Sequence, residues 1–522
     1  MKAVAAETMQ ELDRLTIERF GVPGMDLMER AGHGCADIID RRYGTGGQKS
    51  VAVFAGKGNN GGDGYVIARI LHGLGWNVTL FLHALRDEIH GDALANLDRL
   101  PEGVTRVDAV GGDHAGIGAR VNACDLIVDA LLGTGLKNEV SGLYAASIAQ
   151  INASGRPVVS VDIPSGVNAT SGRILGIAVR ADLTVTFAMA KLGHILYPGA
   201  EYVGELLVTD IGIPAELMAA ATAVEYLDAD SAAILFRRRS RTCHKGDNGH
   251  SLIIAGSAGK SGAAAMAANS AMRSGAGLVT LCVPESIHAI LEVKTTEAMT
   301  VPLADNGSGV LFLAAAERIM ELLPGRDVIA IGPGMGMDED TRCLVREIVA
   351  AVRVPLVMDA DALNAVAGYP EAIRSAPSVA VVMTPHPGEM ARLANVSVAD
   401  VESDRLGVAA RFAADNGAYL ILKGARTVIA APDGRLAVNS SGNPGMASGG
   451  MGDVLTGVVT ALLAQGYEPF AACCLAVYCH GAAGDLVARD KGEVGLIATD
   501  VQEMLPYVFK MLVERRQTNA DR

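Results

Sequence analysis

Aromatic side chains make up only 4% of the 522 residues, and tryptophan occurs once. Stacking platforms for single-stranded nucleic acid are built from such rings, so that class of function is disfavoured at the outset. Basic residues are also in short supply: 44 Lys and Arg stand against 58 Asp and Glu, a formal charge of -14. Such a surface repels polyanions at long range, although a local basic pocket can still hold a small phosphate ligand. A small-molecule partner is expected, and no nucleic acid. The eight cysteines are scattered, with no C-x-x-C pair and no ordered His/Cys spacing, which argues against a zinc site and for a reduced, cytoplasmic setting. The opening MKAVAAETMQELDR brings in acids before the apolar core of a signal peptide could form. A long unbroken apolar run is missing too. Val454 to Gly484 comes nearest, but Glu468, Pro469 and several glycines interrupt it, which predicts two buried helices and no membrane span.

What the chain has in quantity is hydrophobic residues, at 50%, and glycine, at 61 residues. That composition suits helices packed closely on sheets, and the length suggests about two to four domains. Residues 5–20 and 24–43 read as helices separated by Gly21 and Pro23. From Ser50 onward short apolar strands (SVAVFAG, NVTLFL, DLIVDAL, PVVSVDIP, ADLTVTFA) alternate with helical stretches, one of them expected over residues 63–75. This alternation predicts a mainly parallel sheet covered on both faces. The pattern lapses between about Ile211 and Lys245, through an Ala-rich run and the basic cluster Arg237 to Arg241, which reads as a solvated linker face. A second series then begins: SLIIAG, LVTLCV, DVIAIGPG, VPLVMDAD, VAVVMTP and AYLILKG, with Asp433-Gly434 marking a hairpin between TVIAAP and RLAVN. We expect two α/β domains, 1–220 and 246–522, joined by a linker region at 221–245.

In the first series, the loop Gly56 to Gly64 (GKGNNGGDG) follows a strand and formally begins as G-x-G-x-x-G. A dinucleotide fold of the usual kind would carry an acid at the end of the next strand, where this chain has LFLHAL, so a conventional cofactor site is disfavoured. Two later strand ends, from Asp129 to Leu136 (DALLGTGL) and from Val161 to Gly166 (VDIPSG), should meet the loop at one sheet edge. Asn59, Asn60, Asp63, Asp129, Asp162 and Ser165 would then converge. Hard oxygen donors of this kind suit a cation or ligand hydroxyls, although each Asp alone could simply cap a turn. In the second series, Gly256 to Ala263 looks like a phosphate loop, but a Walker motif needs Gly where Ile254 stands. Further strand ends carry GPGMG (Gly332 to Gly336), Asp359 and Asp361, His386 and Glu389, and the basic loop KGART (Lys423 to Thr427). Last comes GNPGMASGGMGDVLTG, residues 442–457. Its glycines free backbone N–H groups for an anion at a helix start near Val454, and Asp453 is either a cap or a base.

The three segments GKGNNGGDG, DALLGTGL and VDIPSG resemble the NAD(P)H-hydrate epimerase domain over about residues 5–215. The resemblance implies an N-terminal Rossmann-like three-layer sandwich. It implies that Asn59, Asn60, Gly61, Gly62, Asp63, Gly133, Thr134, Gly135, Leu136, Lys137, Asn138, Glu139 and Asp162 bind hydrated NADH or NADPH. Asn60, Asp129 and Ser165 would hold a potassium ion and Asp162 would transfer the proton; Lys191, in FAMAKLG, is a lesser candidate for that transfer and reads first as a packed structural stem. Residues 230–515 resemble the ribokinase-like superfamily, and more narrowly its ADP-dependent NAD(P)H-hydrate dehydratases. Sugar kinases there carry D-T-x-G-A-G-D; this chain has Ser448-Gly-Gly-Met-Gly-Asp453, departing at the leading acid and at Ala, inside a complete NPGMASGGMGD run. By resemblance the C-terminal domain is a three-layer α/β/α sandwich. Ala263, Gly334, Gly336, His386 and Asp453 would face the hydrate, and Lys423, Gly424, Ala425, Arg426, Thr427 and Gly452 the nucleotide. Asp453 would be the catalytic base, with ADP as co-substrate, AMP as product and magnesium present. Together the halves are similar to the bifunctional NAD(P)H-hydrate repair family, and a homo-oligomer is expected. Two other readings stay open: a small-molecule kinase acting on a vitamin-precursor alcohol, and a first domain that binds a nucleotide without catalysis.

Overall fold

The computed structural model describes residues 1–45, 49–110 and 114–520. The chain divides into two compact units, Lys2–Val224 and Glu225–Arg522, the second including Met1.

The strands of the N-terminal unit are β1 (Lys2–Val4), β2 (Ser50–Ala55), β3 (Asn77–Leu82), β4 (Thr105–Asp108), β5 (Leu126–Ala130), β6 (Val158–Val161), β7 (Leu183–Phe187), β8 (Ala190–Lys191) and β9 (Glu205–Thr209). Seven of them form a sheet in the order β4-β3-β2-β5-β6-β7-β9, parallel throughout, while β1 pairs with β8. Because side chains alternate along a strand, Val51, Val53 and Ala55 enter one core with the helices Ala6–Phe20, Gly24–Tyr43 and Asn59–Gly73. Ala52 and Phe54 enter a second core with Ile148 and Ile151 of the helix Gly142–Ala153. Both sheet faces are thus dry, which is the three-layer arrangement the alternation predicts. The edge strands β4 and β9 escape the sequence reading because TRVD and ELLVT are short and no residue of either is fully buried.

The sheet order reverses between β2 and β5, so the connections leaving their C-terminal ends diverge and open a crevice. Register keeps those ends level, with Ala55 opposite both Leu82 and Ala130. The helix after β2 begins at Asn59, four residues before the expected start at 63. Asn59 to Asp63 are therefore its first turn and not a loop. Glycine makes the early start possible: a Cβ on Gly61 would sit 1.9 Å from the Gly56 carbonyl oxygen.

In the C-terminal unit the strands are β10 (Val224–Leu227), β11 (His250–Ile254), β12 (Leu278–Pro284), β13 (Met299–Leu303), β14 (Val328–Ile331), β15 (Leu356–Met358), β16 (Val381–Met383), β17 (Tyr419–Leu422), β18 (Val428–Ala430) and β19 (Leu436–Asn439). Their order is β13-β12-β11-β14-β15-β16-β17-β18-β19-β10. β11 to β17 are mutually parallel where they pair, and β18 runs antiparallel to both neighbours, closing the hairpin expected at Asp433-Gly434. Here the order reverses between β11 and β14. Alternate residues on both faces, such as Ile253 and Leu252 or Ala330 and Ile331, are fully buried. The apolar stretch 454–484 resolves into the helices Met451–Ala464 and Pro469–Lys491, whose inward sides join the main core. The latter is the one helix among the described residues long and apolar enough to cross a membrane, and 67% of its apolar window is buried inside the protein. The region 221–245 is more than a linker: β10 pairs with β19, and Ala229–Leu235 is a helix capped by Asp228.

Candidate functional site

Each unit carries a constellation at its switch point. In the N-terminal unit a cleft of about 950 Å³ is lined by Asn59, Asn60 and Asp63 from the helix after β2, by Gly133 to Glu139 after β5, and by Asp162 after β6. Gly61 and Gly62, also expected to touch ligand, lie on the same first turn beneath it, where Gly62 leaves room for the Met28 side chain. The start of that helix lies at the cleft, and its Gly62 N–H is already bonded to the Gly58 carbonyl (3.0 Å).

Asp129 and Ser165 lie deeper. The Asp129 carboxylate accepts from the Ser165 hydroxyl (2.5 Å), the Ser165 N–H (2.9 Å) and the Ser160 hydroxyl (2.9 Å). Burial pushes its pKa up in spite of those bonds. Asn60 is buried, yet both polar atoms of its side-chain amide lack a hydrogen-bond partner. An orphaned buried amide is costly unless a ligand completes it. Its free carbonyl oxygen, with the oxygens of Asp129 and Ser165, makes a hard donor set that fits a potassium ion.

Asp162 adopts a left-handed backbone conformation (φ 65°), sterically unfavourable for any residue but glycine, which turns its side chain into the cleft. Its Oδ1 accepts from Lys191 Nζ at 2.6 Å and from the Thr186 hydroxyl at 3.0 Å. Burial alone would raise its pKa, but the charge and hydrogen bond of Lys191 outweigh burial and hold it below the usual carboxylate range. Lys191 is thus part of the cleft and not merely a packed stem: its side chain is 1% exposed, and its ammonium also donates to Thr186 Oγ1 (2.8 Å) and the Phe187 carbonyl (3.2 Å). His194 is kept neutral, its pKa pushed down to about 4 by burial and then by Lys191. Its Nδ1 accepts from the Lys191 N–H (2.9 Å), so its Nε2 donates to the Asp162 carbonyl (2.9 Å). Sequence reading missed this clamp because Asp162 and Lys191 come together only through β7 and β8.

In the C-terminal unit the helix Met451–Ala464 starts three residues earlier than the apolar pattern suggests. Gly450 precedes it in the left-handed region, and Asp453 lies in the first turn. The first N–H there to reach a backbone carbonyl is that of Val454, on Gly450 (3.1 Å), so the preceding N–H groups are available to an anion. The helix has no side-chain cap, so Asp453 does not serve as one. Burial and then the nearby Asp359 raise its pKa to about 7, with Lys423 opposing and Asp361 adding a smaller push.

Asp359, at the end of β15, is buried and saturated, accepting from Lys423 Nζ (2.8 Å), Thr384 Oγ1 (2.7 Å) and Thr456 Oγ1 (2.8 Å). Burial would lower the Lys423 pKa, but Asp359 and Glu389 outweigh it and keep the ammonium charged. Gly452 lies against this pair; a Cβ there would be 3.3 Å from Lys423 Nζ. The Lys423 to Thr427 loop turns through Gly424 (φ 146°) and Arg426 (φ 56°), and Thr427 Oγ1 donates to the Gly424 carbonyl. Arg405 fastens the loop by donating to the Leu422 and Lys423 carbonyls, a role invisible in the sequence.

The other expected hydrate contacts also gather. A Cβ on Gly334 would lie 3.1 Å from Ala263 Cβ, and the Gly336 N–H donates to Asp361 (2.9 Å). His386 caps the helix Pro387–Ala394: its Nδ1 accepts from the Gly388 N–H at 3.0 Å, and its own N–H donates to Glu389 Oε2 (2.8 Å). Burial, then Lys423, lowers its pKa. Asn443, in the same glycine-rich stretch, is spent on structure: its amide donates to Asp485 and its oxygen accepts from the Gly445 N–H.

A family profile described as NAD(P)H-hydrate dehydratase matches residues 251–507, and one described as YjeF-related protein N-terminus matches residues 24–193. A bifunctional NAD(P)H-hydrate repair enzyme of Moorella thermoacetica is 44% identical over 99% of this chain and 98% of its own length. Those of Thermofilum pendens and Escherichia coli are 40% and 36% identical, over 100% and 95% of this chain and 99% and 92% of their own lengths. Among solved structures, the ADP/ATP-dependent NAD(P)H-hydrate dehydratase from Bacillus subtilis, co-crystallised with ATP and magnesium, is 31% identical. It has a TM-score of 0.49 and covers 55% of this chain and 99% of its own.

Proposed function

This chain belongs to the family of bifunctional NAD(P)H-hydrate repair enzymes, and from that premise we propose which reaction each unit performs and with which residues. The N-terminal unit interconverts the R and S epimers of hydrated NADH and NADPH in the cleft above Asp162. The C-terminal unit dehydrates the S epimer with ADP, yielding NAD(P)H, AMP and phosphate. The observation that carries the second assignment is a carboxyl with pKa raised to about 7 on the open first turn of a helix, near a half-buried charged lysine.

Hydroxide is a poor leaving group, and phosphorylation improves it. Asp453, as carboxylate, takes the proton of the ring hydroxyl, whose oxygen attacks the terminal phosphorus of ADP and displaces AMP. The N–H groups of Gly449 to Gly452 and the Lys423 ammonium stabilise the transferring phosphoryl charge. Loss of phosphate from the carbinol carbon and of a proton from its ring neighbour then restores the dihydropyridine. Ala263, Gly334, Gly336 and His386 line the hydrate side, and the loop Lys423, Gly424, Ala425, Arg426, Thr427 the nucleotide side.

In the N-terminal unit, Asn60, Asp129 and Ser165 would hold potassium, which when bound supplies positive charge to a cleft rich in carboxyls. Magnesium belongs with the nucleotide phosphates, its usual ligands; among the described residues no group of three His, Cys, Asp or Glu side chains is arranged to hold a metal. We place the enzyme as a homo-oligomer in a reducing compartment, the cytoplasm, where its free cysteines remain thiols.

Incubation with mixed NADH-hydrate epimers, ADP and magnesium tests the reading. Full recovery of reduced-ring absorbance, with AMP and phosphate formed in equal amounts, is expected. A stable phosphorylated product with no ring recovery would establish the kinase reading instead.

A further inference from the structure

The helix Ala6–Phe20 presents Gln10, Asp13 and Ile17, spaced as one helical face, to the N-terminal cleft, where they share its lining with Asp63, Asp162 and Lys191. Asp13 Oδ1 is buried and lacks a hydrogen-bond partner. A buried carboxyl oxygen in that condition is stable only if the group carries a proton or meets a ligand. Sequence reading passed over Asp13 because an acid inside a charged amphipathic helix (QELDR) looks like solvated surface.

Epimerisation at a carbinol carbon must move the hydroxyl from one ring face to the other. The ring nitrogen lone pair can expel it, breaking the C–O bond and leaving a planar iminium; water then adds to the opposite face. The departing oxygen needs a proton, and the arriving water must lose one. One acid and one base are therefore required.

We propose that Asp13 is the second catalytic carboxyl of the epimerase, protonating the departing hydroxyl while Asp162 takes the proton of the water that adds to the other face. The proposal rests on the assignment of epimerisation to this cleft. One water leaves and one enters, so the net change is a proton moved from Asp13 to Asp162. The enzyme is then set for the opposite epimer, with the two roles exchanged.

The electrostatics agree with these roles. Burial, with a smaller push from Asp162 and against the pull of Lys191, raises the Asp13 pKa to about 6, whereas Lys191 holds Asp162 ionised. Two carboxyls whose surroundings drive them apart are the usual mark of an acid and base pair. Asp63 also lines the cleft, and burial, then Asp162 and Asp13, push its pKa well above the usual carboxylate range.

The test uses the full-length protein, pure R-hydrate and water labelled with ¹⁸O. Wild type should invert the carbinol with uptake of one labelled oxygen. Asp13→Asn should lose roughly 10²–10³-fold in kcat with KM little changed. Asp13→Glu should recover part of the rate, and formate should restore part of it to Asp13→Ala. Asp13→Asn working within a few-fold of wild type while Asp162→Asn is inactive would overturn the role of Asp13 and leave the assignment of the cleft standing. Asp13→Ala as active as wild type without formate would do the same. Inversion without oxygen uptake would overturn the exchange step. Failure of wild type to invert either epimer would overturn the assignment of the cleft itself. An N-terminal thermal transition as high in each variant as in wild type reports that the unit carrying the cleft has folded.

Discussion

Replacing Asp453 by Asn should make the C-terminal unit more stable while abolishing dehydration. In the folded protein the Asp453 pKa is raised to about 7, chiefly by burial, against an ordinary value of 3.8. Between those values the folded state holds a proton that the unfolded chain has released, so stability falls as pH rises from about 4 to about 7 and stays reduced above that. Three units correspond to ~4 kcal/mol. Water in the crevice screens part of this, so ~1–3 kcal/mol is a fair expectation for the gain in Asp453→Asn at pH 8, shrinking toward zero near pH 4. Calorimetry can isolate the C-terminal transition as the one that ADP shifts upward. In wild type, dehydration should rise with pH and level off above about 7, as the base ionises; in the variant kcat should fall by roughly 10²–10⁴. A variant destabilised at pH 8, or one that still releases AMP and phosphate at the wild-type rate, would refute the assignment of Asp453 as a buried base.

Asp162→Ala should leave pure R-hydrate unrepaired while S-hydrate is still consumed with ADP; equal repair of both by product analysis would contradict the placement of the epimerase. Lys191→Met removes the charge that offsets burial at Asp162. That carboxyl should then protonate at higher pH, moving the acidic limb of the epimerisation profile upward, and a profile identical to wild type would count against the pair. Gly61→Ala places a methyl 1.9 Å from the Gly56 carbonyl oxygen, which should cost ~1–3 kcal/mol of N-terminal stability and depress epimerisation, read by thermal unfolding and rate together.

Strands buried on both faces were legible because they read as short apolar runs between glycines, as VAVFA and LIIAG do. Edges such as β4 and β9 were not, since a half-exposed strand like TRVD or ELLVT differs little from a loop. Motif residues at strand ends converged as expected because parallel topology leaves them no other edge. The expected helix starts at 63 and 454 came late for one physical reason. Glycines depress the apolar pattern in the turn where they let backbone approach backbone, as at Gly61, and where Gly450 takes its left-handed turn. Residues that act through space, namely Lys191, Arg405 and Asp485, carried no local signal. Asp13 did carry one, in its spacing from Gln10 and Ile17, but nothing in sequence says which helical face meets a cleft.

The two units use the same electrostatic device. In each, a lysine binds one strand-end carboxylate, buried Lys191 to Asp162 at 2.6 Å and half-buried Lys423 to Asp359 at 2.8 Å. A second carboxyl nearby is raised chiefly by burial: at Asp453 the push of Asp359 exceeds the pull of Lys423, whereas at Asp13 the pull of Lys191 exceeds the push of Asp162 without cancelling burial. Asp13 is thereby raised to about 6 and Asp453 to about 7. Proton transfer near neutral pH needs such a group, and a lone buried lysine or a lone buried carboxylate would not supply it. The pairing differs in one respect that matches the chemistry. On the proposed assignments, the N-terminal lysine holds the carboxylate that would take part in proton transfer, so acid and base would form a reversible couple suited to an epimerisation. The C-terminal lysine holds Asp359, already saturated by Thr384 and Thr456, which would leave Asp453 as a single base beside an anion-binding helix start, suited to one-way phosphoryl transfer.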